Sequence, residues 1–451
     1  MSLGDQALSL SCRPGQAVVR AQTNVHISSG SHGVRIAAIV SQAAAFFQAL
    51  SLIAAFGAGR LTDAVNLFGL LAAAPMAIVA RGIVLPYAMV RPGFSRWRQL
   101  NVGAVILGGA LGPAGAAYLN WTGSYSGVDL LMLGAGFGAM GMTLSAASMR
   151  ACRLACEGRP VTIAAVTIPT NVAFGAAAWV PLGAPEARIC VAAVLAGAIQ
   201  ALITSRIRTR LPGAAELARG LAGDRSQLVS LAAGALVGYA GPTVLQTMAA
   251  TLPPGQLAIL GLIAKVLGAL VNLGIGAALL ARSNWMAAGT KPLQGVLSAV
   301  VAGTWWVSLV VALLPMPDSY RPVAVAAALW FGLSCWALIV NKWIQLAGDS
   351  AALRTSAFAG AGSYIVAASV FWIMHTGPGF MFASCMPLLV GIVVCELYLR
   401  SWRALLALVI AVANVSLVLL GDTWLVVAVG TLATSLPTFW YLMRERPRPA
   451  P

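Results

Sequence analysis

The sequence predicts an all-α polytopic membrane protein, and three observations carry that prediction. Hydrophobic residues make up 59% of the 451-residue chain, and charged residues only 9%. The apolar stretches also recur in blocks of membrane-spanning length, separated by short basic gaps. A water-soluble domain carries roughly 25% charged residues, so the natural solvent for this chain is a bilayer. No segment has the composition of a soluble domain.

Crossing the hydrocarbon takes about 20 apolar residues of helix. Windows of that size place about fourteen transmembrane helices. The first six fall at 35–56, 64–90, 102–119, 128–148, 161–181 and 187–204, the next four at 227–250, 257–281, 295–315 and 323–340. The last four fall at 355–374, 381–399, 403–420 and 423–442. The expected organisation is an N-terminal tail (1–34), a six-helix lobe (35–204), a linker (205–226) and a second six-helix lobe (227–399). Two extra helices (400–442) and a C-terminal tail (443–451) follow, and the two lobes enclose a central cavity. The first 34 residues are polar and Ser/Gly-rich, with no strong apolar core before a cleavage site. They read as a cytoplasmic tail and not as a signal peptide.

Charge sets the orientation. With the N-terminus in the cytoplasm, the inner side gathers Arg13, Arg20, Arg35, Arg91, Arg96, Arg98, Arg150, Arg153 and Arg159. The linker adds Arg206, Arg208, Arg210, Arg219 and Arg225, and later inner loops hold Arg282, Lys291, Lys342, Arg354, Arg400 and Arg403. The outer loops keep Arg60, Arg188 and Arg321, each with Asp63, Glu186 or Asp318 nearby. This is the positive-inside pattern, with both termini cytoplasmic in a bacterial inner membrane. The net charge of +16 therefore orients the chain and meets anionic headgroups. A nucleic-acid surface would cluster the same charges on one solvated face. Outer loops such as Trp121–Gly127 and Leu252–Gln256 leave no room for a binding domain, which puts function among the helices.

Chemistry-bearing residues are few. The seven cysteines are irregularly spaced, and Cys152 and Cys156 lack the His or Cys that would complete a metal site. No cofactor is expected. Arg81 on the second span and Lys265 on the eighth are the basic side chains well inside predicted spans. A cation at the bilayer centre costs about 2.5–3.5 kcal/mol on insertion scales, so it normally faces a wet cavity or a partner. Placed at different depths, the two would suit a pyrophosphate passing from one leaflet to the other. The competing reading has Arg81 snorkelling to the inner headgroups and Lys265 answering a backbone carbonyl. Gln42, Gln48, Asn66, Gln246 and Asn272 lie on the same group of spans, either contacting sugar hydroxyls or bonding helix to helix. Asp63 stands at the outer end of the second span, where it pairs with Arg60, starts its own helix favourably, or belongs to a site. No Asp or Glu lies deep in a span, with Glu396 near an inner end and Asp129 near an outer one.

Two segments carry a family resemblance. The run Phe56-Gly57-Ala58-Gly59-Arg60-Leu61-Thr62-Asp63-Ala64, followed by Pro75, closes the first helix and opens the second. The run Leu252-Pro253-Pro254-Gly255 precedes the helix with Lys265 and the stretch Leu273-Gly274-Ile275-Gly276-Ala277-Ala278-Leu279. Both resemble the MurJ-like lipid II flippases, in the MOP superfamily that also holds the Wzx-type polysaccharide flippases and the MATE exporters. The resemblance implies a flippase for a polyprenyl-pyrophosphate sugar, working by alternating access, with Lys265 as a cavity-facing cation. Its implied partners are the lipid-linked sugar, membrane lipids and cell-envelope biosynthesis enzymes, with no nucleic acid. The chain departs from the family where arginines are expected, at Gln42, Gln48 and near Met76, and where acids are expected, at Arg81 and Ala264. Those departures point away from lipid II and toward another polyprenyl-linked sugar. A MATE-like small-molecule exporter and a non-transporting membrane scaffold are the alternatives. An enzyme is not expected, since neither buried acids nor a large outer loop is available for sugar transfer.

Overall fold

The structure, a computed structural model, describes residues 14–84, 97–123, 128–156, 159, 161–181, 183–207, 225–271, 321–347 and 350–398. These residues form helices and turns, with no strand among them. The N-terminal helices are α1 (Pro14–Phe56), α2 (Arg60–Pro75), α3 (Trp97–Trp121), α4 (Val128–Cys156), α5 (Val161–Ala165), α6 (Ile168–Ala177) and α7 (Pro185–Arg206). The later ones are α8 (Arg225–Ala249), α9 (Gln256–Val271), α10 (Arg321–Ala347), α11 (Ser350–Met374) and α12 (Gly377–Tyr398). Among the described residues eight helical segments are long and apolar enough to cross a membrane. The chain is a multi-pass membrane protein. The spans expected at 295–315, 403–420 and 423–442, and most of the linker, lie outside the described residues.

Three elements differ from expectation. The first helix begins at Pro14, well before the span that starts near residue 35. The fifth span, expected as one helix over 161–181, ends its first piece at Ala165 and resumes at Ile168, with Pro169 in the new first turn. Proline has no amide hydrogen and its ring collides with the carbonyl four residues back, so the helix cannot run through undisturbed. Ser41 on α1 and Thr167 hydrogen-bond across the break, 2.9 Å between their oxygens. The second span carries Pro75 and widens directly after it into a π-helical segment, Met76–Val84. Such widened turns concentrate at functional sites.

Packing follows from what lipid cannot supply. Hydrocarbon tails are as apolar as leucine, so helices associate through close contact and polar bonds. α3 and α4 meet along glycines: a Cβ on Gly108 would stand 2.6 Å from the Gly141 carbonyl oxygen, and one on Gly138 would stand 2.7 Å from that of Gly109. The two backbones touch. Phe68 of α2 stacks on Phe137 of α4 at 5.5 Å between ring centres, and Phe137 tilts against Phe174 of α6 at 5.6 Å. At the outer end Arg188 of α7 donates to the Ala178 carbonyl at 2.6 Å and lies 4.9 Å over the Phe56 ring of α1. Ile106, Phe358 and Ile365 remain exposed, as lipid-facing side chains do.

The helices α1 to α7 pack among themselves, and so do α8 to α12. The two sets meet where α1 and α2 lie against α9, and where α2 and its π-helical continuation lie against α8. That seam brings together the residues discussed next.

The glycine contact makes a direct test. Gly138→Leu is expected to lower the stability of the detergent-solubilised protein by about 1–3 kcal/mol through overpacking. Gly103→Ala, where a Cβ meets nothing within 4 Å, is expected to leave the melting temperature unchanged or slightly higher. Equal melting temperatures for both variants would contradict the backbone contact.

Candidate functional site: the seam between α2 and α9

α2 and α9 run side by side, and Asp63 joins their starts. Asp63 is buried, with 6% of its surface exposed. Its Oδ2 accepts the Gly255 backbone N–H at 2.6 Å and its Oδ1 accepts that of Ala258 at 2.7 Å. The first amides of a helix have no partner inside it and carry partial positive charge. A carboxylate on one helix thus caps the N-terminus of another. Asp63 lies in the first turn of its own helix, as the sequence suggested, and among the described residues no ion pair joins it to Arg60; its hydrogen-bond donors lie 192 and 195 residues further on.

Backbone geometry makes the joint possible. Gly255 has φ +86°, a conformation glycine adopts without steric cost. A Cβ there would also stand 2.7 Å from the Ala58 carbonyl oxygen. The Pro253-Pro254-Gly255 turn therefore fits against the Gly57–Gly59 turn only without a side chain at position 255. Thr62 bonds the Gly57 carbonyl through its hydroxyl and fixes that turn from the α2 side.

The seam opens inward. At Gly255 the backbones touch; one turn into α9, a Cβ on Gly261 would lie 3.8 Å from the Asn66 amide, an ordinary contact. At Gly268 it would meet nothing within 4 Å. On α2 the exposure follows the same face. Between Thr62 and Met76 every residue is buried except Asn66, Gly69, Leu70 and Ala73. Their spacing of three and four places them on one stripe. Lys265 lies one turn beyond Gly261 on the same face of α9. It is half-buried, and no hydrogen bond ties it to another described residue.

Arg81 sits elsewhere. It belongs to the π-helical segment, and its Nη2 donates to the Ile163 carbonyl at 3.0 Å. Ile163 lies in the short helix α5, just before the break. Arginine at a helix C-terminus satisfies carbonyls that the helix cannot, and matches the negative end of its dipole. Arg81 is therefore tied to the backbone of α5. Its Nε is buried with no hydrogen-bond partner, leaving part of the guanidinium fork unused.

Of the candidates, Asp63, Asn66 and Lys265 come together at the seam, and Arg81 lies deeper on the same helix line. Gln246 is half-buried on α8, with no contact placing it there. Asn272 lies outside the described residues. Sequence reasoning missed the stripe of Gly69, Leu70 and Ala73, because small and apolar residues on a membrane helix carry no signal of their own. It also missed that Glu396 is enclosed, with 2% of its surface exposed, where Trp336 Nε1 donates to its Oε1 at 3.0 Å. Among the described residues no cluster of His, Cys, Asp and Glu could hold a metal ion.

The chain matches no family model and no curated protein. It does share its fold with a solved membrane protein, the lipid II flippase MurJ in an inward closed conformation. The TM-score is 0.54 at 11% identity, over 91% of this chain and 98% of that one. Weaker likenesses are to a MATE protein in complex with MaD5 (TM-score 0.42, 13% identity, 90% and 99% covered) and an inward-facing multidrug resistance MATE family transporter of the MOP superfamily (0.28, 12%, 94% and 97%). The first of these carries the likeness of fold. The resemblance read from two short segments therefore holds at the level of fold.

Removing the Asp63 carboxylate takes away two hydrogen bonds to a charged acceptor, each worth about 1.5–3 kcal/mol. Asp63→Ala is expected to broaden and lengthen the distance between spin labels placed at Ala58 and Pro254, while Asp63→Glu changes it less. A distance distribution unchanged in Asp63→Ala would show that the outer closure does not depend on this cap.

Proposed function

We propose that this protein is a flippase that carries a lipid-linked sugar from the inner to the outer leaflet by alternating access. The observation that supports it best is the α2–α9 seam, closed at its outer end by Asp63 and splayed below it around Lys265. A wedge closed outward and widening inward is what a carrier presents to a headgroup on the cytoplasmic side. An ammonium with no hydrogen bond to another described residue offers that headgroup's phosphate a charge-assisted bond, while Asn66 offers an amide to sugar hydroxyls. The polyprenyl tail stays in lipid throughout.

Alternating access then requires the outer closure to break and the inner contacts to form or tighten. The outer closure is two hydrogen bonds and one glycine contact, a small structure that a few kcal/mol can bias. On the inner side the π-helical segment of α2 already touches α8, and Arg81 braces it against α5. In this reading both termini are cytoplasmic and the membrane is the bacterial inner membrane, next to the enzymes that make the lipid-linked sugar.

The test is flipping of fluorescent polyprenyl-linked sugars in proteoliposomes. Lys265→Ala is expected to slow flipping about 10–100-fold, the equivalent of losing one charge-assisted bond, with its thermal stability kept. Arg81→Ala is expected to lower both flipping and stability, and Arg81→Lys to restore part of the former. Intact protein that moves no polyprenyl-linked sugar would overturn the proposal.

A further inference from the structure

We propose that the headgroup taken up at this seam carries one phosphate charge, a sugar joined to its polyprenyl carrier by a single phosphodiester and not by a pyrophosphate. The inference rests on the flippase reading and refines its substrate.

It comes from counting charge at one depth. Asp63 and Ala258 are hydrogen-bonded partners, so they set the register of the two parallel helices. Seven residues further along each helix are Leu70 and Lys265, both ~10 Å inward at 1.5 Å per residue. At that level α9 presents Lys265 between Gly261 and Gly268, and α2 presents Asn66, Gly69, Leu70 and Ala73. Among the described residues of the seam, one side chain in this stretch is ionisable, and it is the lysine.

Arg81 cannot supply a second charge to the same group. It lies eighteen residues past Asp63, which places it roughly 15 Å deeper than Lys265 by the helical rise. It is also held to the Ile163 carbonyl. The two phosphorus atoms of a pyrophosphate share one bridging oxygen, so both its charges arrive at one level. One ammonium would neutralise half of them. The other half would sit against Leu70 and Ala73, where an unpaired ion is costly to desolvate. A phosphodiester brings one negative charge and meets one positive charge. Lysine suits it, since a compact point charge needs no second oxygen of fixed geometry.

The register also shows how the preference could be reversed. A cation at position 70 would face Lys265 across the splay, and a pyrophosphate would then find two charges at one depth.

The experiment uses the full chain in lipid nanodiscs and two fluorescent lipids with the same sugar and the same polyprenyl chain, one linked by one phosphate and one by two. The wild type is expected to bind the monophosphate-linked lipid about tenfold more tightly, a difference near 1.4 kcal/mol. Leu70→Lys is expected to shift the ratio toward the pyrophosphate-linked lipid by a similar factor, and Lys265→Ala to weaken binding of both lipids. Phosphatidylglycerol in large excess, which carries the same single charge on an ordinary phospholipid, is expected to leave binding intact. Equal or tighter wild-type binding of the pyrophosphate form would overturn the inference and leave the flippase reading standing. Displacement by phosphatidylglycerol would overturn the sugar-linked assignment. Tight monophosphate binding with no movement across the membrane would support the charge argument and sink the flippase.

Discussion

A carboxylate inside an apolar protein needs hydrogen-bond donors, and a helix that starts against another helix needs acceptors. Asp63 meets both needs at once. The arrangement constrains much of what surrounds it. Gly255 must lack a side chain so that the turn before α9 can approach Ala58. Thr62 must hold the Gly57 carbonyl so that α2 begins where its acid can reach across. Because the bond sits at one end of two parallel helices, it acts as a pivot. Their separation grows with distance from it, and Lys265 and the Asn66 stripe occupy the space that results.

The inner side is organised by the opposite charge. Proline at position 75 and at position 169 removes an amide from each of two helices, and lipid offers no water to satisfy the carbonyls that are freed. The chain answers with a π-helical turn in one case and a break in the other, and Arg81 links the two by donating to the Ile163 carbonyl. An anion caps the start of a helix at the outer end, and a cation caps the finish of one further in. Each placement agrees with the local dipole. The first bond crosses between the two helix sets, whereas the second stays within the N-terminal set. Among the described residues the first bond is one of the contacts that must break for the two sets to separate, since α2 and its π-helical continuation also lie against α8.

How far the sequence could be read depended on the distance over which each feature is specified. Helix existence and approximate ends follow from local apolar content, and the described helices meet the corresponding spans closely. Pro75 and Pro169 were visible, but proline alone does not distinguish a kink, a π-turn and a break, since neighbouring helices decide which carbonyls are rescued. Asp63 was visible as an acid at a span end, while its partners, nearly two hundred residues away, were not. Lys265 was legible because a cation in an apolar run is rare. Asn66 and Gln246 looked equivalent in the sequence, and only the first has a contact that places it at the seam. Glu396 looked peripheral by position, and the enclosure around Trp336 depends on packing between α10 and α12 that no local pattern encodes.

The sparse charge of the seam bears on how a carrier works. A site that holds its cargo tightly in one state must release it in the other, and every extra ion pair deepens the well from which the cargo has to leave. The resemblance implied arginines where Gln42, Gln48 and Met76 stand, and it implied an acid where Arg81 stands. In their place are neutral side chains, and an arginine already engaged with a carbonyl. The three missing arginines lower the positive charge, while Arg81 and Ala264, standing where acids were implied, raise it. A headgroup with several anionic charges would be poorly held by such a seam. One with a single charge would be held by Lys265 and freed when that lysine moves relative to α2. In the proposed reading the two helices that Asp63 joins also carry Lys265, so opening the closure and loosening the cargo would be one motion about that joint.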